Sequence, residues 1–538
     1  MESGRKSLES ARTHVALQAG RRGGETARAR LALLAIAAGL VCLGMASVAP
    51  PDAQAADAPA RNAPAKSPQA AIAASPNGYR FLHGYPTPAA SERAWRDGMF
   101  QRAVVAYRFW YPTVSMEGIF NGNRDVGIED DKRWGIAATG PRQVGFTLNS
   151  DTPYGSAVLD LSHGPMVVDL PAGPYIGLVN DHNQRWVQDL GMPGPDGGHG
   201  GKYLIVPPDY KGTPPKGYRV ARSSSVKNLL AVRALPAGGD IPKALDALRA
   251  IKIYPLDKGE SAALSPLDTS KQAMDSSSLR WEDNFQFWQV LDRIVQQEPL
   301  VPDYLPMYGL LAQLGIEKGK PFQPDARLRE VLTEAARQGR AQMLVAAFDS
   351  QRDDRKNWPD RQWEWVGLVP GSAQFETPYG MDLEARDRWF AQAIVTSPAM
   401  FRRDPGAGSL YWLAARDARG NYLDGGRNYT LSVPQPVPGK LFWSVTIYDA
   451  ATRSQVRTDQ DKAALRSLFE LKNVDTSKPL TLYFGPTAPA GQADRWIRTA
   501  PGRGWFAYFR IYGPEAAAFD KTWKPGDFEP AAAAKAAR

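Results

Sequence analysis

Residues 479–528, PLTLYFGPTAPAGQADRWIRTAPGRGWFAYFRIYGPEAAAFDKTWKPGDF, contain the clearest strand pattern in the chain. Side chains from Trp505 to Tyr512 alternate between two faces, and Gly and Pro residues bracket this run on both sides. One face is apolar and suits a core, whereas the other places an arginine between two tyrosines. We predict a β-strand with Tyr508 and Arg510 as candidate ligand-binding residues; the alternative is an ordinary sandwich or interface surface.

Two other stretches have the turn spacing of antiparallel sheets. Apolar runs between Gly, Pro, Asn and Asp turns cover residues 142–235, and strands return from about Ser409. The section between them repeats apolar residues at helical spacing, as does Ser91 to Phe109, which we predict to be a helix that packs on the first sheet. The predicted fold class is α+β and β-rich. Two antiparallel β domains, the C-terminal one of sandwich or jelly-roll type, are joined by a helical segment. The predicted boundaries are 79–240 for the first β domain with its helix, 241–404 for the helical connector and 405–528 for the second β domain.

The N-terminal segment has the pattern of an export signal. Residues 31–49 form an uncharged apolar run that follows several arginines and precedes Ala53-Gln54-Ala55, a small-residue cleavage pattern. We predict a signal peptide over 1–55, a disordered Ala/Pro linker over 56–78 and a disordered tail over 529–538. The protein is then exported, to the periplasm or cell envelope. The alternative is an uncleaved inner-membrane anchor formed by 31–49, the one arrangement in which we expect a membrane contact.

Composition excludes several classes of function. The net charge is +9, but Lys and Arg are spread along the chain, which argues against a nucleic-acid partner. The single cysteine, Cys42, lies in the apolar run, so the exported chain has no thiolate ligand or cysteine nucleophile. The sequence contains no G-x-S-x-G, H-E-x-x-H, P-loop or G-x-G-x-x-G motif, so lipase-like, zincin, P-loop and dinucleotide mechanisms lose their usual support.

Two blocks of sequence match a known pattern. The first contains Asn149-Ser150-Asp151-Thr152-Pro153-Tyr154, GPMVVDLP, VNDHNQRWVQDLG and GGKYLIVPPDYKGTPPKGY, and it resembles domain of unknown function 1254. The second contains FWSVTIYDAATRS, LYFGPTAPAG, WIRTAPGRGWFAYFRIYGP and FDKTWKPGDF, and it resembles domain of unknown function 1214. The resemblance implies an exported or envelope-associated bacterial protein with a β-rich two-domain build, and it brings no established reaction.

The richest polar cluster follows an apolar strand. It runs from Asn180 to Asp189, and residues at a strand end are held rigidly yet open to solvent, where Asp and His can act as an acid/base pair. We therefore take Asp181 and His182 as candidate catalytic residues, with Arg185 and Trp186 as candidate ligand-binding residues. The alternative is an Asx-rich turn in which aspartate and asparagine side chains bind their own backbone.

The N-x-D-T-P segment is the third candidate. We take Asp151 as catalytic and Tyr154 as ligand-binding; the alternative is a turn in which the carboxylate binds backbone N–H groups. No cofactor is expected from the residues available. If Asp151, Asp181 and Asp189 converged, however, their oxygens could bind Ca²⁺ or Mg²⁺.

Three functions are compatible with these residues. The first is a cleft between the two β domains that takes a small polar or sugar-like ligand, with or without cofactor-independent hydrolase or lyase chemistry. The second is a non-catalytic binding or structural module of the envelope that assembles as a homo-oligomer. The third is a membrane-anchored scaffold, which requires residues 31–49 to stay uncleaved.

Overall fold

Two sets of mainly antiparallel sheets and seven α-helices make up the part of the chain that the computed structural model describes, residues 78–130, 132–405 and 408–531. The β-rich fold class predicted from the sequence is confirmed. The predicted signal peptide, most of the linker and the last seven residues of the tail lie outside the described residues. Within those ranges, no helix has both the length and the apolar character that a membrane crossing needs.

The helices occur at the start of the chain and between the two sets of sheets. They are α1 Pro88–Asp125, α2 Ile241–Arg249, α3 Gln286–Gln297, α4 Leu305–Gln313, α5 Ala326–Phe348, α6 Leu383–Phe390 and α7 Pro398–Phe401.

The N-terminal strands form a six-stranded sheet, a four-stranded sheet and two short pairs. They are β1 Phe81–Leu82, β2 Tyr85–Pro86, β3 Arg133–Ala137, β4 Gln143–Val144, β5 Tyr154–Asp160, β6 Met166–Leu170, β7 Tyr175–Asp181, β8 Trp186–Gly191, β9 Gly201–Val206, β10 Tyr218–Arg222, β11 Lys227–Ala234, β12 Lys252–Pro255, β13 Ser265–Asp268 and β14 Met274–Asp275. The large sheet has the order β13-β3-β5-β11-β7-β8, and the smaller one β10-β9-β6-β12. Most pairs are antiparallel, while β13 with β3, β10 with β9 and β14 with β4 are parallel.

The C-terminal strands form a five-stranded sheet, a four-stranded sheet and one short hairpin. They are β15 Glu364–Trp365, β16 Glu376–Thr377, β17 Gly380–Met381, β18 Ser409–Ala414, β19 Asn428–Val433, β20 Gly439–Asp449, β21 Ala464–Arg466, β22 Leu480–Gly485, β23 Trp496–Arg498, β24 Trp505–Pro514 and β25 Phe528–Ala531. The sheet orders are β15-β18-β24-β20-β21 and β23-β22-β19-β25.

Strand β24 confirms the alternation that the sequence predicts, although both of its faces are buried. Trp505 packs against Phe484 and Phe528 of the four-stranded sheet, with ring centroids 5.6 and 5.2 Å apart. Tyr508 and Arg510 point the other way and are each 2% exposed. Because the N-terminal sheets and the helical segment cover this second face, it is an interior surface.

The six-stranded sheet is likewise buried on both faces. Leu230 and Val232 of β11 join the core shared with the four-stranded sheet and α2. Leu229, on the opposite face, packs with Ile119 and Phe120 of α1. This second face turns toward the C-terminal five-stranded sheet, so each set of sheets presents one face to the other.

Helix α1 is longer than the sequence predicts. It starts at Pro88, where the Thr87 hydroxyl accepts a hydrogen bond from Ala90 N at 3.2 Å, so Ser91 is not the N-cap. From Ala103 on, nearly every side chain is buried, so no amphipathic stripe marks the second half. The expectation that this helix packs on the first sheet holds for its C-terminal half, while its N-terminal half packs on α3, α4 and α5.

Candidate functional site

A cavity of about 180 Å³ lies between the two facing sheets. Strands β5, β7 and β11 line one wall, and β18 and β24 line the opposite wall. The segment 389–400, from the end of α6 into α7, forms a third. The lining is mainly apolar and includes Ile176, Leu178, Leu229, Ala231 and Ile394. The site is thus built from both β regions and from the connector between them.

Arg233 is the one cationic side chain on the N-terminal wall of the cavity that the structure describes. The alternation of side chains along β11 places Arg233 on the same face as Leu229 and Ala231. Its side chain is half-buried and lines the cavity. Its guanidinium lies 5.8 Å from the ring centroids of both Tyr154 and Tyr512, and Nη1 donates to Tyr512 Oη at 3.4 Å. Burial lowers the pKa of Arg233, but neighbouring tyrosines outweigh that and raise it, so the group stays charged.

Arg510 occupies the opposite wall. Its Nη2 donates to the Thr147 carbonyl at 2.9 Å, whereas Nε and Nη1 have no hydrogen-bond partner. Three tyrosine rings surround the guanidinium: Tyr508 at 4.9 Å, Tyr448 at 5.5 Å and Tyr411 at 5.8 Å. No ion pair joins Arg233 or Arg510 to a carboxylate within the described residues, and cation–π contacts replace it only in part.

Asp151 supplies the negative charge closest to this cluster. Its Oδ2 accepts from the Ser444 hydroxyl at 2.7 Å and from Tyr512 Oη at 3.0 Å, and Oδ1 has no hydrogen bond. The turn expected from N-x-D-T-P also forms, because Asp151 N donates to Asn149 Oδ1 at 3.0 Å. Asp151 thus joins the two β regions, and one carboxylate faces two permanent positive charges.

The tyrosines of the cavity make hydrogen bonds with neighbouring polar side chains. Tyr154 Oη accepts from Asn149 Nδ2 at 2.7 Å, Tyr411 Oη lies 2.5 Å from the Ser409 hydroxyl, and Tyr508 donates to Gln392 Oε1. Burial raises the pKa of Tyr154 and Tyr508. The Tyr154 hydroxyl keeps its proton, and that proton has no acceptor within the described residues.

Asp189 lies at the other end of the cavity. It sits on β8 opposite Leu178 of β7, which in turn faces Ala231 of β11. This register separates its backbone from that of Arg233 by two strand spacings and two residues, roughly 12 Å. Burial raises the pKa of Asp189 to about 6, with Ser397 and Trp186 acting in the opposite direction. Its Oδ1 has no hydrogen-bond partner. A carboxyl group with a raised pKa therefore lines the cavity.

Asp181 lies outside the cavity. It is fully buried, and Oδ1 accepts from Asn183 N and Arg185 N at 2.8 Å each, while Oδ2 accepts from the Ser224 hydroxyl. Burial raises the pKa of Asp181, and these hydrogen bonds offset part of the rise. The Asx turn weighed from the sequence is therefore present.

His182 is also enclosed, between two glutamates. Nδ1 lies 3.1 Å from Glu298 Oε1 and Nε2 lies 3.5 Å from Glu117 Oε2, with the ring edge against Phe120. Burial lowers the pKa of His182, but the two carboxylates outweigh it and raise the pKa above its ordinary value. His182 is fully buried and is not among the residues that line the cavity.

The two remaining candidates of this cluster also stand apart from the cavity lining. Arg185 pairs with Asp303 at 2.7 Å and lies 5.2 Å from the Tyr304 ring centroid. Trp186 is half-buried beside Asp189. Of the eight candidates, Tyr154, Tyr508 and Arg510 line the cavity, Asp151 adjoins it, and the four from Asp181 to Trp186 do not meet there.

The three aspartates considered for a hard cation occupy separate environments. Asp151 lies between the β regions, Asp181 in its own turn, and Asp189 at the far end of the cavity. Over the described ranges, no group of three or more His, Cys, Asp or Glu side chains is arranged to hold a metal ion.

Sequence reasoning missed Arg233 and Tyr411. The alternation that identified Arg510 applies equally to NLLAVRAL, where Arg233 shares a face with Leu229, and to SLYWLA, where Tyr411 follows Ser409 by two residues. An arginine or a tyrosine at alternating positions of a largely apolar strand was the available signal.

The fold and the site describe a β-rich, two-region protein with an internal cavity. Residues 136–255 match the family described as protein of unknown function DUF1254, and residues 408–516 match protein of unknown function DUF1214. The chain therefore carries these two domains in this order, and the resemblance drawn from its motifs is confirmed. Their matched ranges contribute opposite walls of the cavity.

Two solved structures are similar to this chain. The VPA0106 protein from Vibrio parahaemolyticus superposes with a TM-score of 0.51 and 16% identity, over 81% of this chain and 100% of that one. An uncharacterised protein from Burkholderia cenocepacia has a TM-score of 0.35 and 14% identity, over 79% of this chain and 94% of the other. No curated protein matches the chain. At these identities the first likeness concerns the fold alone.

Proposed function

We propose that this protein binds a small molecule with a largely apolar body in the cavity between its two β regions. The observation that carries the proposal is the cavity of about 180 Å³ with an apolar lining and charged groups at its ends. An engineered protein cavity of about 150 Å³ binds benzene, so this volume suits a ligand built on one ring or a short chain. Ile, Leu and Ala side chains favour such a body over the sugar-like ligand expected from the sequence.

A panel of toluene, benzyl alcohol and benzoate tests this proposal by saturation-transfer NMR. We expect at least one compound to bind the wild-type protein. Ala231→Phe, which places a ring in the cavity, should abolish binding. Ala341→Phe on the exposed face of α5 is the matched control and should bind as the wild type does. If no compound distinguishes wild type from Ala231→Phe, the proposal fails.

Hydrolase or lyase chemistry without a cofactor is a second candidate. Asp189 supports it, because a carboxyl with a pKa of about 6 that lines the cavity can exchange a proton near neutral pH. Hydrolysis of phenyl acetate is a direct assay. We expect the rate of hydrolysis to depend on pH through one group with an apparent pKa near that of Asp189. Asp189→Asn should lose the hydrolysis activity and still bind benzyl alcohol. Equal rates in both proteins would remove the catalytic candidate and leave binding intact.

The remaining proposals concern location and assembly. We propose that residues 1–55 direct export, and N-terminal sequencing of the exported protein tests this. Ala56 as the first residue supports cleavage, whereas a protein that retains residues 31–49 supports the anchored alternative.

The alternative to a ligand-processing role is a non-catalytic module of the envelope that assembles as a homo-oligomer. Light scattering of the purified protein measures its oligomeric state and tests this alternative.

A further inference from the structure

We infer that the ligand of this cavity is a small carboxylic acid whose carboxylate binds Arg233 and Tyr154. This inference rests on the proposed function, and it adds the chemical class of the ligand and its orientation. It is carried by the charge balance of the cavity, by the free donors at one end and by the carboxyl at the other.

The charge balance at the Arg233 end is positive. Arg233 and Arg510 are both charged, and Asp151, the carboxylate that acts on Arg510, lies against Ser444 and Tyr512. A charge held away from water is costly unless an opposite charge is close, because the protein interior screens it poorly. One bound anion would make the numbers of positive and negative charges equal.

The donors at this end point to a carboxylate. Arg233 donates through Nη1 to Tyr512 Oη at 3.4 Å and also interacts with Tyr411, so its five N–H groups are not all used by these two hydroxyls. The Tyr512 proton is committed to Asp151, whereas Tyr154 accepts from Asn149 and so keeps its own proton for a ligand. A guanidinium edge and a hydroxyl suit the two oxygens of a carboxylate.

Asp189 sets the orientation of the ligand. Its carboxyl lines the opposite end of the cavity, and once ionised it repels an anion. Leu178, Ala231 and Ile394 line the cavity as well and offer contacts to an apolar body, which therefore points away from Arg233 toward Asp189. The cavity volume leaves room for one ring or a short chain with a single head group, which favours a monocarboxylic acid over larger phosphorylated molecules.

Benzoate and benzamide provide the matched pair that tests this inference, because they share a ring and nearly the same shape and differ in charge. Near neutral pH we expect wild-type protein to bind benzoate at least about tenfold more tightly than benzamide, measured by ligand-observed NMR titration. In Arg233→Met the affinities for benzoate and benzamide should be about equal. Arg416→Met is the control, because Arg416 also stacks on a tyrosine, Tyr422, but is paired with Asp349, and none of these three residues lines the cavity.

The outcomes separate this inference from the proposed function. Equal affinity of wild type for benzoate and benzamide overturns the carboxylate assignment, while cavity binding stands. Failure of both compounds and of toluene to bind overturns the two together. Should Arg233→Met not fold, Tyr154→Phe serves instead, and a loss of benzoate affinity with unchanged toluene affinity supports the inference. Unchanged affinity for both compounds would exclude the Tyr154 contact.

Discussion

The turn at residues 180–186 and the cavity walls around Arg233 are both polar and buried, yet their polar groups are satisfied differently. In the turn, Asp181 accepts three hydrogen bonds and His182 lies between two glutamates. At the cavity, Arg510 and Asp189 have atoms without partners, and Arg233 has no ion pair within the described residues. Both regions look equally functional in the sequence. In the turn, His182 Nε2 completes no hydrogen bond but lies 3.5 Å from Glu117 Oε2, whereas the partnerless atoms of Arg510 and Asp189 belong to residues that line a cavity a ligand can enter.

This difference predicts opposite responses to substitution. Removing a side chain from a satisfied network leaves its partners buried without hydrogen bonds. The free energy of unfolding therefore falls. Removing an unsatisfied charge from a binding site removes a cost that the folded protein already bears, so stability holds or rises while function is lost.

The largest expected effect is that of His182→Ala. The substitution leaves Glu117 and Glu298 buried without the imidazolium between them, and breaking such a buried pair costs about 4 kcal/mol. Urea unfolding measures the loss. Adding Glu117→Gln should recover part of it, because one of the two like charges is removed. A loss below about 1 kcal/mol would show that the triad is not a stability network.

The same histidine gives stability a pH dependence. Because the folded-state pKa of His182 is raised above its ordinary 6.5, its contribution is fully present below that pH and is lost as pH rises through the folded-state pKa. Wild-type stability should therefore decline above pH 6.5 more steeply than that of His182→Ala. Parallel pH profiles of the two proteins, measured by urea unfolding, would contradict this.

Asp181→Ala should lower the free energy of unfolding by about 3 kcal/mol, because two backbone N–H groups and the Ser224 hydroxyl lose their acceptor. Asp181→Asn keeps one acceptor oxygen and should cost clearly less. Chemical denaturation of the three proteins provides the comparison. If the alanine variant is as stable as wild type but no longer binds a cavity ligand, the division between the two regions is wrong.

Asp189→Asn should act in the opposite direction and stabilise the protein by about 2 kcal/mol at neutral pH. A carboxyl whose folded pKa is raised from 3.8 to about 6 contributes fully when protonated, below pH 3.8, and loses that contribution as pH rises through about 6. The variant should be insensitive to pH across this window, as denaturation at several pH values would reveal. Destabilisation by the substitution would place Asp189 in a satisfied network instead.

Arg185→Ala should have the smallest effect, about 0.5 kcal/mol. Its partner Asp303 has a side chain 69% exposed, and ion pairs at the surface contribute little. Thermal unfolding measures this change in stability, and benzoate titration should give the wild-type affinity. A clear fall in benzoate affinity would extend the binding site to the turn and erase the contrast between the regions.

The strand faces could be predicted from the sequence because side chains alternate with a period of two. Tyr508 and Arg510 were identified in this way, and the same argument would have reached Arg233 and Tyr411. The alternation does not say which of two buried faces borders a cavity, because both faces carry apolar and aromatic residues. Asp181 and His182 were chosen because polar residues cluster there, but neighbours in sequence are the groups most able to satisfy one another locally.

The sequence by itself determined the local structure and the domain pairing: the strands, their faces, the turn chemistry around Asp151 and Asp181, and the two family motifs. These features depend on neighbours within a few residues. The tertiary structure alone decided that Arg233, Arg510 and Asp189 share one cavity and lack partners, whereas His182 has two. The physical reason is that the hydrogen bonds and ion pairs of a buried charge come from groups far apart along the chain. Asp151 and Tyr512 are an example, because only folding brings them together.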